Sequence, residues 1–91
     1  MARYAKVATI SMGGVGGPHE GYVERMRERA LEMLERAALE GPDIVCLPET
    51  FTGIGLPREE WFKTAEPVPG PTTDAIAGAA RKHGMFVVCP I

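Results

Sequence analysis

Ninety-one residues, 45% hydrophobic and 24% charged, have the make-up of an ordinary globular chain with room for one domain, so a two-domain enzyme is excluded within this length. Ten bases against twelve acids give a net charge of −2, which provides no basic surface for a run of phosphates and makes nucleic acid an unexpected partner. The longest apolar runs, Ile44 to Leu47 and Met85 to Cys89, fall far short of the roughly 20 residues of a membrane span.

The chain opens on Tyr4 to Met12, which carries Val7, Thr9 and Ile10 and stops at Gly13-Gly14; this reads as a strand. Thr9, Ser11 and the glycines break any core long enough for a signal peptide, so a cytoplasmic location is expected. From Glu20 to Glu40, Val23, Met26, Ala30, Met33, Leu34, Ala37 and Ala38 recur at intervals of three and four, with charges on the other faces. That spacing predicts an amphipathic helix of about five turns, ended by Gly41-Pro42.

The next segment, Ile44 to Leu47, is apolar at every position, as expected of a central parallel strand covered on both faces. After a long Pro- and Gly-rich connection, in which Pro57 to Phe62 has the look of a short helix, Thr72 or Thr73 is placed to cap a second helix. That helix runs to His83 and stops at Gly84, and Met85 to Cys89 forms a third all-apolar strand. The fold class is therefore α/β, a β-α-β-α-β parallel sheet unit with right-handed crossovers. Two helices on one face would leave the other face bare, several hundred Å² of apolar surface that a partner or further chain is expected to cover. A core strand running straight into Pro90-Ile91 suggests part of something longer.

Glu49 is the residue that packing does not require. It follows the apolar second strand at its carboxyl end, the edge where open parallel sheets bind ligands, and Pro48 restricts the backbone before it. Its alternatives are a general base or a plain surface or capping carboxylate. Trp61-Phe62 is expected to pack the long connection down, and His19 to be a loop residue. Cys46 and Cys89 lie inside apolar runs and read as unpaired core thiols. His19 and His83 are too far apart in sequence, and no CxxC exists, to suggest a zinc site.

Three segments taken in order, Lys6 to Met12, Gly41-Pro42-Asp43-Ile44-Val45-Cys46-Leu47-Pro48-Glu49-Thr50-Phe51-Thr52-Gly53, and Pro69 to Thr73 followed by Ala80 to Val88, resemble the amino-terminal part of the carbon-nitrogen hydrolase, or nitrilase, superfamily. The resemblance implies that residues 1–91 are the first, incomplete part of an α-β-β-α sandwich made of two βα halves. It further implies a Glu-Lys-Cys triad that hydrolyses a non-peptide amide, carbamoyl compound or nitrile through a thioester, with no cofactor or metal. In that scheme Glu49 matches the general base. Phe51 matches the aromatic just beyond the base, where it either lines the substrate pocket or simply packs. A small-molecule substrate and a homo-oligomeric full-length protein are expected. The family's lysine and cysteine follow downstream strands. Lys6, Lys63, Lys82, Cys46 and Cys89 do not match them, so these 91 residues alone are expected to be inactive.

Two rival readings follow from the residues. Gly13 to Gly21 lies where a dinucleotide fold places its phosphate loop, and Gly14-Val15-Gly16 begins a G-x-G-x-x-G; yet position 19 is His, Pro18 removes an amide, and Tyr22-Val23 stands where a P-loop needs Lys and Ser or Thr. A flexible connection is the plainer explanation of these glycines. The second rival is a non-catalytic module that associates through its bare sheet face.

Overall fold

A computed structural model describes residues 3–16 and 20–91. His19, Gly17 and Pro18, with the expectations attached to them, lie outside the described residues. The elements run β1 (Val7–Thr9), α1 (Tyr22–Ala38), β2 (Ile44–Cys46), a 3₁₀ turn (Phe51–Gly53), a longer 3₁₀ segment (Arg58–Thr64), α2 (Pro71–His83) and β3 (Phe86–Val88). The three strands are parallel in the order β1-β2-β3. The expected β-α-β-α-β order is therefore present, with shorter strands than the apolar runs suggest. Among the described residues no helix is long and apolar enough to cross a membrane.

Residue pairing explains how the layers form. Ala8, Val45 and Val87 stand side by side across the sheet. Val45 is completely buried in one cluster with Ala30 and Leu34 of α1 and Ile76 and Ala79 of α2, against which Ala8 and Val87 also pack. The neighbouring rows, Val7-Ile44-Phe86 and Thr9-Cys46-Val88, point the other way because strand side chains alternate. On that side Val7 is 57% and Phe86 78% exposed. The expectation that β2 and β3 are covered on both faces is thus corrected within this chain. Both helices lie on one face, and among the described residues no helix covers the other, where Val7, Phe86 and Val88 are exposed and Ile44 and Cys46 half-buried.

Helix α1 buries Tyr22, Met26, Ala30 and Leu34, one residue per turn. It starts later than the charge pattern suggests, at Tyr22, and its buried aromatic was not part of the predicted stripe. Helix α2 is capped differently from expectation. Gly70 is the N-cap and Pro71 takes the first position, where the missing N–H is not needed. Thr73 serves from inside the first turn, its Oγ1 accepting the Gly70 N–H at 2.8 Å. At the other end Gly84 adopts φ 61°, and the Met85 N–H reaches back to the Ala80 carbonyl at 3.0 Å, a left-handed closure suited to glycine. The same closure sends the chain directly into β3.

Candidate active site

The candidate site begins at the end of β2. The sheet ladder continues one residue past the strand, with Leu47 N–H donating to Val88 O at 3.1 Å, and Pro48 then ends it. Glu49 follows at the carboxyl end of the central strand and is exposed. Thr50 next takes φ 44° and ψ 47°, a left-handed conformation that costs a β-branched residue roughly 1–2 kcal/mol. The chain thereby turns inward at once. Phe51 is 0% and Thr52 1% exposed, and Gly53 N–H donates to Thr50 O at 2.9 Å to close the turn. Phe51 belongs to the core cluster and presents no surface to a ligand in this chain; here its ring is packing.

Two fastenings hold the connection beyond Gly53 against α1. The first is the Tyr22 hydroxyl, which donates to the Ile54 carbonyl. It fits only because Gly14 and Gly55 approach one another, since a Cβ on either would come within 2.6 Å of that hydroxyl oxygen. Gly14, expected in a flexible connection or phosphate loop, is therefore a packing glycine. Tyr22, which occupies the position a P-loop lysine would need, serves the same contact.

The second fastening is Glu66. Its Oε1 accepts the Thr72 N–H at 2.7 Å and its Oε2 accepts the Thr72 hydroxyl at 2.8 Å, while Arg27 Nε donates to Thr72 Oγ1 at 2.9 Å. The guanidinium lies 3.8 Å from the carboxylate, with both side chains largely buried. A carboxylate over the first turn of α2 satisfies free amides and meets the positive end of the helix dipole. Thr72, expected as a cap, is instead the buried hub that Arg27 and Glu66 share. Periodicity gave no sign of this network, because its members are separated by 45 and 6 positions and share no pattern. The one available signal was a carboxylate a few residues upstream of a helix start.

A cleft of about 660 Å³ opens between the start of α1 and the 3₁₀ segment, lined by Tyr22, Arg27, Leu56, Lys63 and Glu66 among others. Glu49 and Phe51 do not line it. Four of its charges are paired, Lys63 with Glu60 at 2.6 Å and Arg27 with Glu66, and Glu24 also lines it. Trp61 packs its indole on the connection as expected, donating Nε1–H to Leu56 O at 3.1 Å, but Phe62 is 73% exposed and does not pack. The tight 3₁₀ winding directs successive side chains to different sides, so the two aromatics cannot share one role.

The other reactive groups are accounted for by structure. Lys6 Nζ donates to the Glu40 carbonyl, and Lys82 pairs with Glu35 at 3.2 Å. Cys46 and Cys89 are free and half-buried, less enclosed than core thiols. Burial first, and the negative charge of Glu66 second, push the Cys89 thiol above its ordinary value, which keeps it protonated and a poor nucleophile. Among the described residues no group of three or more His, Cys, Asp or Glu could hold a metal ion.

A model of the carbon-nitrogen hydrolase family matches residues 6–91, nearly the whole chain, and the chain belongs to that family. Over 62 residues, 65% of this chain, it is 32% identical to a beta-ureidopropionase of Arabidopsis thaliana. Over 74 residues, 67% of this chain, it is 30% identical to a nitrilase of Paraburkholderia phymatum. These matches span only 15% and 22% of the two relatives' own lengths.

Proposed function

We propose that this chain supplies the general base, Glu49, to an enzyme that hydrolyses a small non-peptide amide, carbamoyl compound or nitrile. The reading is carried by one observation: within residues matched by the family, a carboxylate that packing does not use stands at the carboxyl end of the middle strand of a parallel sheet. The chemistry asks for such a group. A thiol of pKa about 8.5 is mostly protonated at neutral pH, and a neighbouring carboxylate that accepts its proton makes the sulfur nucleophilic. The sulfur then attacks the reacting carbon: an amide or carbamoyl carbon expels its nitrogen as amine or ammonia at once, whereas a nitrile carbon gives a thioimidate to which a first water adds before ammonia leaves. In each case a further water releases the acid from the thioester.

The lysine and the nucleophilic cysteine are proposed to come from chain beyond Ile91, so residues 1–91 alone are inactive. Enclosure is proposed to come from there as well, because a carboxylate in bulk water has no means of holding a thiol in line. The bare apolar face supports the same picture. A second sheet laid on Val7, Ile44, Phe86 and Val88 would complete an α-β-β-α sandwich and close the space around the end of β2. The test is Glu49→Gln in the full-length protein, read by ammonia release from small nitriles and N-carbamoyl amino acids. Loss of a general base should lower kcat by about 10²–10⁴-fold with the unfolding temperature unchanged. Wild-type turnover would remove Glu49 from the mechanism.

A further inference from the structure

Among the described residues Thr50 is the one non-glycine with a positive φ, and it stands between the exposed Glu49 and the fully buried Phe51. A β-branched residue does not choose this conformation unaided, and no side-chain hydrogen bond caps the turn to offset its cost. Something outside Thr50 must hold it. On one side Pro48 has its φ fixed by its ring. On the other, Phe51 is locked into the core with Val45, Leu47 and Leu34, and Thr52 and Gly53 are buried behind it. We propose that Phe51 is a positioning residue for Glu49: its ring, anchored in the core, holds the left-handed turn at Thr50 and so fixes the direction in which the carboxylate leaves the end of β2. The inference rests on Glu49 acting as the general base. It gives Phe51 a part in the reaction without contact with substrate.

If the ring is the anchor, loosening it lets Thr50 relax toward ordinary backbone angles and swings Glu49 out of line. A residue that accepts the left-handed conformation more readily should cancel that loss. Asparagine is such a residue, and unlike glycine it adds little freedom of its own. The experiment uses the full-length protein, with ammonia release from small nitriles and N-carbamoyl amino acids as the assay, and compares Phe51→Leu, Thr50→Asn, the double variant and Glu49→Gln. Phe51→Leu is expected to lower kcat at least tenfold with KM within about threefold of wild type. Adding Thr50→Asn is expected to bring kcat back to within about threefold, a coupling that a packing role alone does not produce.

Phe51→Met, whose unbranched side chain adapts better to the space of the ring, carries the same comparison should Phe51→Leu fail to fold. A Phe51 variant that raises KM at constant kcat, or one whose loss Thr50→Asn does not repair, overturns the proposal while Glu49→Gln remains inactive and the base assignment stands. Full turnover by Glu49→Gln, or no ammonia release from any compound by the wild type, overturns both.

Discussion

Val45 and Phe86 stand in adjacent strands of one sheet, and their surroundings are opposite. Val45 is 0% exposed among side chains of α1 and α2, whereas Phe86 is 78% exposed on the far face. Both belong to runs that are apolar at every position, so hydrophobicity did not divide them. The crossovers did: each carries its helix to the same side, and alternation along the strand then assigns Val45 to the helices and Phe86 to the outside. Among the described residues the two helices cover only the Val45 face, and the apolar run of β3 extends equally to the face they leave open.

The contrast breaks most sharply at Phe86. In the full-length protein a second sheet on the bare face would make this ring a core residue, and Phe86→Ala should then cost about 3–5 kcal/mol in denaturant unfolding. A change within about 0.5 kcal/mol would mean the ring stays at the surface, and the proposed sandwich would be wrong on this face.

A middle-sized effect is expected on the covered side, where Glu66 joins the long connection to both helices. Glu66→Gln keeps the shape but leaves one oxygen where two accept the Thr72 N–H and hydroxyl, sets an amide NH2 against the other donor, and removes the charge facing Arg27. Unfolding should show a loss of about 1–3 kcal/mol, the usual cost of stranding a buried polar partner. A second readout is local. Because the Glu66 charge is the lesser of two causes raising the Cys89 thiol, the pH profile of Cys89 alkylation should move partway back toward the ordinary thiol range. An unchanged profile and an unchanged stability together would show that the carboxylate does not clasp the helix start.

These cases also mark how far the sequence could be read. Helix α1 was legible because Met26, Ala30 and Leu34 repeat at the helical period, and the position of Glu49 just beyond β2 because Pro48 stops the apolar strand before it. The turn at Thr50 was not legible, since nothing in Glu49-Thr50-Phe51 resembles a left-handed signal, which glycine or asparagine would have given. The same holds for the Gly14-Gly55 approach under Tyr22. It depends on two segments 41 positions apart meeting, a tertiary fact that looks in the sequence like one more flexible glycine.

The smallest effect belongs to the outer seam between the helices, where Glu35 of α1 accepts hydrogen bonds from the end of α2. His83 Nε2 lies 2.9 Å from one carboxylate oxygen and Lys82 Nζ 3.2 Å from the other. The bond from His83, and then that from Lys82, hold the Glu35 carboxyl below its ordinary value. A carboxyl depressed in the folded state is stabilising where it is ionised in both states. That contribution is whole above the ordinary carboxylate range and disappears as the pH falls through it toward the lower folded value. Glu35→Gln should therefore lower the unfolding temperature slightly at pH 7, and the gap to wild type should close between about pH 5 and pH 3. A gap that persists at the acid end would assign the seam to packing of the side-chain stems, since charge no longer distinguishes the two proteins there.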